Sequence, residues 1–239
     1  MPVERSTSER TMIAYALRQP RGRYNAERAS QLSGVPKSTM YDWRRDGILV
    51  PDFTSASPSM WSYRDLVLLR LLAWLRQGGM QRSVAAAKVD GIRRQLSEGV
   101  EVRSIHATKW DVVLNDTHGD AVADDRDNLL PSQEFYSLLG TFDLHEPITE
   151  LRSSRPHALW APDLVTPSAH SAISPWVLAG DPCVRQTRIP TASVFALHTE
   201  RALSTTAIAS LYSGLNAEEV EDVIVLERRL RGVTDLVAA

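Results

Sequence analysis

The stretch from Tyr24 to Gly47, YNAERASQLSGVPKSTMYDWRRDG, constrains the fold more than any other part of the chain. Asn25 is placed to cap a helix whose apolar face carries Ala29 and Leu32 and which Gly34 stops. A second helix follows, with Pro36 in its first turn and Gly47 just past its end. The tight turn at Ser33-Gly34-Val35 between them gives a helix-turn-helix layout. Met40 and Trp43 on the second helix, and Ile48 just after it, can point inward. Lys37, Ser38, Thr39, Tyr41, Arg44 and Arg45 are left on the outer or flanking faces. Cations and short hydroxyl side chains on such a helix suit phosphate and base-edge contact. The competing reading is an ordinary solvated helix with an apolar stripe.

The flanking segments extend this pattern. ERTMIAYALRQP is a short amphipathic segment that ends at Pro20. After the second helix, ILVPDFTSASPSMWSY reads as a strand, a Pro/Ser-rich loop and an aromatic return, together a two-stranded wing. Ser62 is a helix N-cap with Asp65 three positions on. The helix it opens shows Leu66, Leu69, Leu72, Ala73 and Leu75 on one broad apolar face, and Gly78-Gly79 ends it. QRSVAAAKVDGIRRQLSEG is one further helix, with Gly91 as a bending point.

The charge is unevenly divided. Residues 1–103 hold 17 Lys+Arg against 10 Asp+Glu, a net of +7; residues 104–239 hold 10 against 19, a net of -9. A basic half joined to an acidic half suggests a polyanion-binding end and a separate partner-binding end. With 239 residues there is room for one large domain or two small ones. The run from Leu66 to Leu75 is broken by Arg70 and is too short to span a bilayer. MPVERSTSER has no apolar h-region, so no secretory signal is expected and the chain is read as cytosolic. The one cysteine, Cys183, supports neither a disulfide framework nor a multi-thiolate metal site.

From about Val100 the pattern changes. VEVRSIHATKWDVVLND is extended and β-prone, with a turn at Gly119, and LPSQEFYSLLGTF is a short helix. Residues 147–182 are rich in Pro, Ser and Ala and predict extended connections with short strands around Leu159 and Val177. The chain closes on three helices, in TASVFALHTERAL, STTAIASLYSG and NAEEVEDVIVLERRLRG. Ser204 and Asn216 open the second and third. The acidic stretch with Asp111, Asp116, His118 and Asp120 lacks a glutamate at the twelfth loop position and reads as a polar hairpin turn, not a metal site. The histidines are scattered, no P-loop or G-x-S-x-G motif appears, and Cys183 reads as a small buried apolar residue. No catalysis, metal or cofactor is expected.

Two resemblances sharpen this reading. AERASQLSGVPKSTMYDWRRDGIL, the wing and SYRDLVLLRLLAWLRQGGM resemble the winged helix-turn-helix of MerR-type regulators. In that family a Tyr and an Arg after the wing contact the DNA backbone, and by position these are Tyr63 and Arg64. The chain departs from the family in having no sustained heptads after residue 100. The stretch from Gly180 to Glu227 resembles a small helical domain of a family without known function that is often found in antitoxins. Its signature is matched by Gly180, Pro182, Val184, Arg185, Thr187, Arg188, Ile189 and Pro190, then by Ser204, Ile208, Ala209 and Tyr212. Gln186 stands where that signature has Gly, which argues against a turn with φ > 0 there.

Together the two arrangements resemble VapB-type antitoxins encoded beside PIN-like toxins. That resemblance implies a protein that binds and inhibits a ribonuclease toxin and represses its own operon. Arg185, Arg188, Arg228, Arg229 and Arg231 are then candidates to meet the carboxylates of the toxin's active site. The simpler assignment for Arg185 and Arg188 is structural, fixing their turn by hydrogen bonds to nearby carbonyls. The simpler one for residues 228–231 is a solvated helix end.

The expected protein is mainly α. A tail and short helix occupy residues 1–22 and a winged helix-turn-helix residues 23–100. A partly β connector follows over 101–172, then a small helical domain over 173–239. The expected partners are operator DNA and a cognate PIN-like toxin, with no membrane, and a homodimer is expected from operator symmetry. The alternative is a ligand-responsive MerR-type transcriptional regulator. On these expectations the two ends are separable: removing residues 176–239 leaves DNA binding intact.

Overall fold

The structure, a computed structural model, describes residues 7–54, 58–77, 80–98, 105–107, 112–114, 142–144 and 159–238. The fold is mainly α. Helix α1 (Thr7–Arg18) buries Ile13, Ala16 and Leu17. Helix α2 (Ala26–Ser33) starts at Asn25, whose side chain accepts from the Arg28 amide, and stops at Gly34, left-handed at φ 77. A Cβ at Gly34 would also press on the Trp160 carbonyl at 3.1 Å, so conformation and space both call for glycine. Helix α3 (Lys37–Arg45) follows after three residues, with Pro36 as its N-cap residue and Met40 and Trp43 turned into the core. Beyond it Phe53 and Met60 pair as an antiparallel bridge, and Tyr24 pairs with Trp61 in the same way.

Helix α4 (Tyr63–Gln77) opens with the expected capping box. The Asp65 amide donates to Ser62 Oγ at 3.0 Å, and the Ser62 amide donates to Asp65 Oδ2 at 2.8 Å. The single apolar face read from its sequence understates its role. Every residue from Tyr63 to Ala73 is buried, as befits a helix covered on all sides. Even Arg70 is fully buried, donating to the Leu32 carbonyl at 2.5 Å and the Pro162 carbonyl at 2.6 Å. Helix α5 (Arg82–Glu98) runs unbroken through Gly91 and packs Ala85, Val89, Ile92 and Leu96 inward.

The strands form three two-stranded antiparallel sheets. β1 (Ile105–Ala107) pairs with β2 (Val112–Leu114), β3 (Phe142–Leu144) with β4 (Leu159–Ala161), and β5 (Ser171–Ala172) with β6 (Cys183–Val184). The strand expected near Leu159 is β4; the one expected near Val177 does not form. There the chain makes a 3-10 turn, Leu178–Gly180, with Leu178, Ala179 and Gly180 at φ 46, 56 and 92. Its carbonyls face the N-terminal segment: the Arg23 amide donates to Ala179 O at 2.7 Å. The turn at Gly119, the helix over LPSQEFYSLLGTF, and Asp111, Asp116, His118 and Asp120 lie outside the described residues.

The last three helices are α6 (Thr191–Glu200), α7 (Thr205–Leu211) and α8 (Ala217–Ala238). Ser204 caps α7 by accepting from the Ala207 amide, and Asn216 and Glu219 form a reciprocal capping box on α8. Val184, Val194, Ile208, Val220, Val223 and Ile224 make a small core of their own. The larger core surrounds α4, and it takes in Trp160, Ala161, Leu164, Val165 and Ile173, together with Leu226 and Leu230 from α8. Residues 160–173 are thus part of the first core, and α8 serves both clusters.

Candidate nucleic-acid interface and the joint behind it

Helix α3 is fixed on its inner face and open on its outer one. Met40 is fully buried and Trp43 is 2% exposed, while Tyr41 is 52% exposed. Ser38, Tyr41, Arg44 and Arg45 are exposed, and Lys37 is half-buried. Thr39 is the exception among the expected outer residues, since it is buried at 8%. Its place on the flank turns it to the core side, so it is not available for base contact.

The cations of α3 differ in how free they are. Lys37 pairs with Glu27 at 3.0 Å. Arg45 pairs with Asp42 at 2.8 Å and Asp46 at 3.1 Å, and Asp46 is also held by Arg82 at 2.6 Å from the start of α5. Hydrogen bonding to Asp46, then the charge of Asp42, holds the Arg45 guanidinium more firmly protonated than usual. Arg44 is exposed with no ion-pair partner among the described residues. Pairs this exposed are screened by solvent and weak, so a phosphate can displace their carboxylates at small cost. Arg23, which the sequence reading passed over, is exposed and lies 4.7 Å above the ring of Phe53. No local pattern marked it, because its neighbour in space is thirty residues away.

Two expected backbone contacts are corrected. Tyr63 is fully buried, and its hydroxyl donates to the Leu164 carbonyl at 3.1 Å. Arg64 is 4% exposed. Its guanidinium holds Asp52 at 2.7 Å and donates to Ser97 Oγ at 2.7 Å. Both stand on the first turn of α4, which the fold places inside rather than on the surface. Asp65 beside them accepts from Arg93 at 2.6 Å; burial, with Asp52 close by, pushes its carboxyl up to about 6. Tyr63 and Arg64 therefore tie α4 to its surroundings and do not reach DNA.

Behind α3, helix α2 is locked to the C-terminal helices by a polar network. Arg28 Nε donates to Asp181 at 2.7 Å. Its two other nitrogens donate to Glu227 at 2.7 and 3.2 Å, a bidentate pair. Glu227 is fully buried and also accepts from Thr191 Oγ1 at 2.5 Å. Burial disfavours the Arg28 charge, but Glu227 and Asp181 more than offset it. Nearby, the Tyr24 hydroxyl donates to the Gly180 carbonyl at 3.0 Å, and a Cβ on Gly180 would run into that hydroxyl. Sequence reading missed this joint because Glu227 sits in LERRLRG, where it looks like one more solvated charge.

The arginines assigned to a protein partner separate into two groups. Arg229 lies 3.8 Å above the Trp160 ring and Arg231 lies 4.7 Å above Phe195, so both are engaged within the chain. Arg228 is exposed. Arg185 and Arg188 are exposed on the turn after β6, and neither fixes it. Thr187 does that instead: its amide and hydroxyl both donate to Val184 O, at 3.1 and 2.9 Å, and its Oγ1 accepts from the Ile189 amide at 3.0 Å. The turn is left-handed at Gln186, φ 62, which overturns the expectation that a residue other than glycine argues against φ > 0 there.

Residues 172–225 match the model of a family described as a protein of unknown function, DUF433. The match begins within β5 and runs through the Gln186 turn, α6 and α7 into α8, over most of the stretch from Gly180 to Glu227 whose motif marked it as a small helical domain. No curated protein and no solved structure matches the chain. Among the described residues, no helix is long and apolar enough to cross a membrane.

Proposed function

We propose that the chain is a DNA-binding antitoxin: it reads operator DNA through α3 as a winged helix-turn-helix homodimer and binds and inhibits a PIN-like ribonuclease toxin through its C-terminal part. The observation that carries the DNA half is the division of α3. Met40 and Trp43 anchor it, and Ser38, Tyr41, Arg44 and Arg45 are displayed outward from a helix that cannot roll without unpacking. A rigid helix presenting guanidiniums, a hydroxyl and a phenol is what groove contact requires. The paired strand segment at Phe53 and Met60, with Arg23 above it, serves as the wing. The toxin half rests on the resemblance of the C-terminal motif and on the exposed Arg185, Arg188 and Arg228.

The test is the salt dependence of DNA affinity. Each phosphate contact contributes about 0.9 to the slope of log K against log salt. Arg44→Ala with Arg45→Ala is expected to flatten that slope by about 1.8 if both meet phosphate, with the fold unchanged by circular dichroism. An unchanged slope removes both residues from the interface.

The ligand-responsive regulator is the second reading. A cavity of about 310 Å³ lies beside the end of α3, lined by Gly47, Ile48, Leu49, Val50, Ala86, Ala87, Asp90 and Arg93. That reading requires a small molecule whose saturable binding changes DNA affinity.

A further inference from the structure

The exposed turn after β6 borders a second cavity, and the two together form a built site. The cavity is about 400 Å³, within the range of ligand pockets. Its floor is apolar: Ala172, Val177, Cys183 and Val184. Its rim is polar, and Arg188 lines it. Arg185 leaves the same turn and is exposed as well. Neither guanidinium has an ion-pair partner among the described residues, in a half of the chain that is otherwise acidic.

The turn is held without help from either guanidinium. Val184 and Ile189 are bonded across it at 2.9 Å, Thr187 closes it, and the Arg185 amide donates to the His170 carbonyl at 2.8 Å. A left-handed Gln186 is a strained choice for a side chain that could be glycine, and it persists because the surrounding bonds determine the turn. Arg188 thereby lines an apolar hole from a rigid turn, and Arg185 is exposed on the same turn. The backbone of the turn is ordered before binding, so binding has only the two side chains left to order.

We infer that this cavity is a docking site for a segment of a partner protein that inserts one apolar side chain and flanks it with carboxylates. Charge complementarity decides the flanking chemistry: two unpaired guanidiniums recognise carboxylates in paired hydrogen bonds. The apolar floor decides what lies between them. The inference rests on the partner-binding half of the proposed function and gives that half a location and a chemistry, independent of the DNA half.

The experiment uses the full chain and two probes. The first is a random short-peptide display library. The expected result is enrichment of peptides with one large apolar residue beside Asp or Glu. Their binding is expected to weaken roughly 10- to 100-fold in Arg188→Glu with Arg185→Glu, as loss of charged hydrogen bonds requires. Ala172→Met, which fills the floor, is expected to abolish binding while DNA affinity stays unchanged. No enrichment, enrichment of basic peptides, or binding indifferent to these variants overturns the inference.

The second probe is the protein encoded beside this chain. Equal affinity for the parent protein and for both variants overturns the docking site and leaves the toxin reading standing. Enriched acidic peptides, with no binding of the neighbouring protein, support the site and remove the toxin.

Discussion

Arg28→Ala is expected to destabilise the protein by about 3–5 kcal/mol, because it takes the bidentate partner away from the fully buried Glu227. The carboxylate is fully buried and would keep only its bonds to Thr191 and Arg231, the latter at 3.5 Å. Desolvating an ionised carboxylate is costly, and the remaining partners repay part of it at most. Replacing the pair together, Arg28→Met with Glu227→Met, removes both charges and is expected to restore much of the loss. Urea unfolding of the two variants beside the parent protein measures this. A single variant as stable as the parent would mean that the joint between α2 and α8 contributes nothing.

Removing residues 176–239 is the second large effect. The charge asymmetry and the two motifs suggest separable ends, of which the first keeps its fold alone. The packing says otherwise. Leu226 and Leu230 of α8 sit in the same core as α4, and burying two leucines contributes roughly 3–6 kcal/mol. Asp181, Thr191 and Glu227, three of the partners of Arg28, leave with the deleted segment, as does the Gly180 carbonyl that Tyr24 holds. Small domains have a total stability of only about 5–15 kcal/mol. Residues 1–175 alone are therefore expected to lose cooperative unfolding, and DNA affinity with it. A truncated chain that melts in one sharp transition near the parent temperature would show that the two ends fold independently.

Local features of this fold were legible. The caps at Asn25, Ser62, Ser204 and Asn216 and the stop at Gly34 all stand where the sequence put them, because each works through bonds within three or four residues. The inward placement of Met40 and Trp43 followed from helical spacing. What was not legible depends on distant partners. Tyr63 and Arg64 look like surface residues until α4 is seen to be covered on every side. Glu227 takes its meaning from Arg28, on the far side of the fold. Gln186 adopts a glycine-like conformation because Thr187 and the Val184–Ile189 ladder hold the turn, a matter of tertiary context and not of residue preference.

The expected pairing of a DNA-reading helix with a partner-binding domain acquires a physical form from the joint. Helix α2 packs against α3 and carries Arg28, which pairs with Glu227 of α8. Anything gripping the C-terminal part is therefore attached to α2, which packs against α3, by buried, directional bonds and not by a loose tether.

The most direct measurement is a purification of this chain, tagged, from its native operon with the neighbouring gene included. The expected result is a stoichiometric partner that gains ribonuclease activity once this chain is stripped away, from a complex that still retains operator DNA at low salt. Recovery of the chain alone under the same conditions, with DNA affinity that shifts only on adding a small molecule, would contradict it and favour the ligand-responsive regulator.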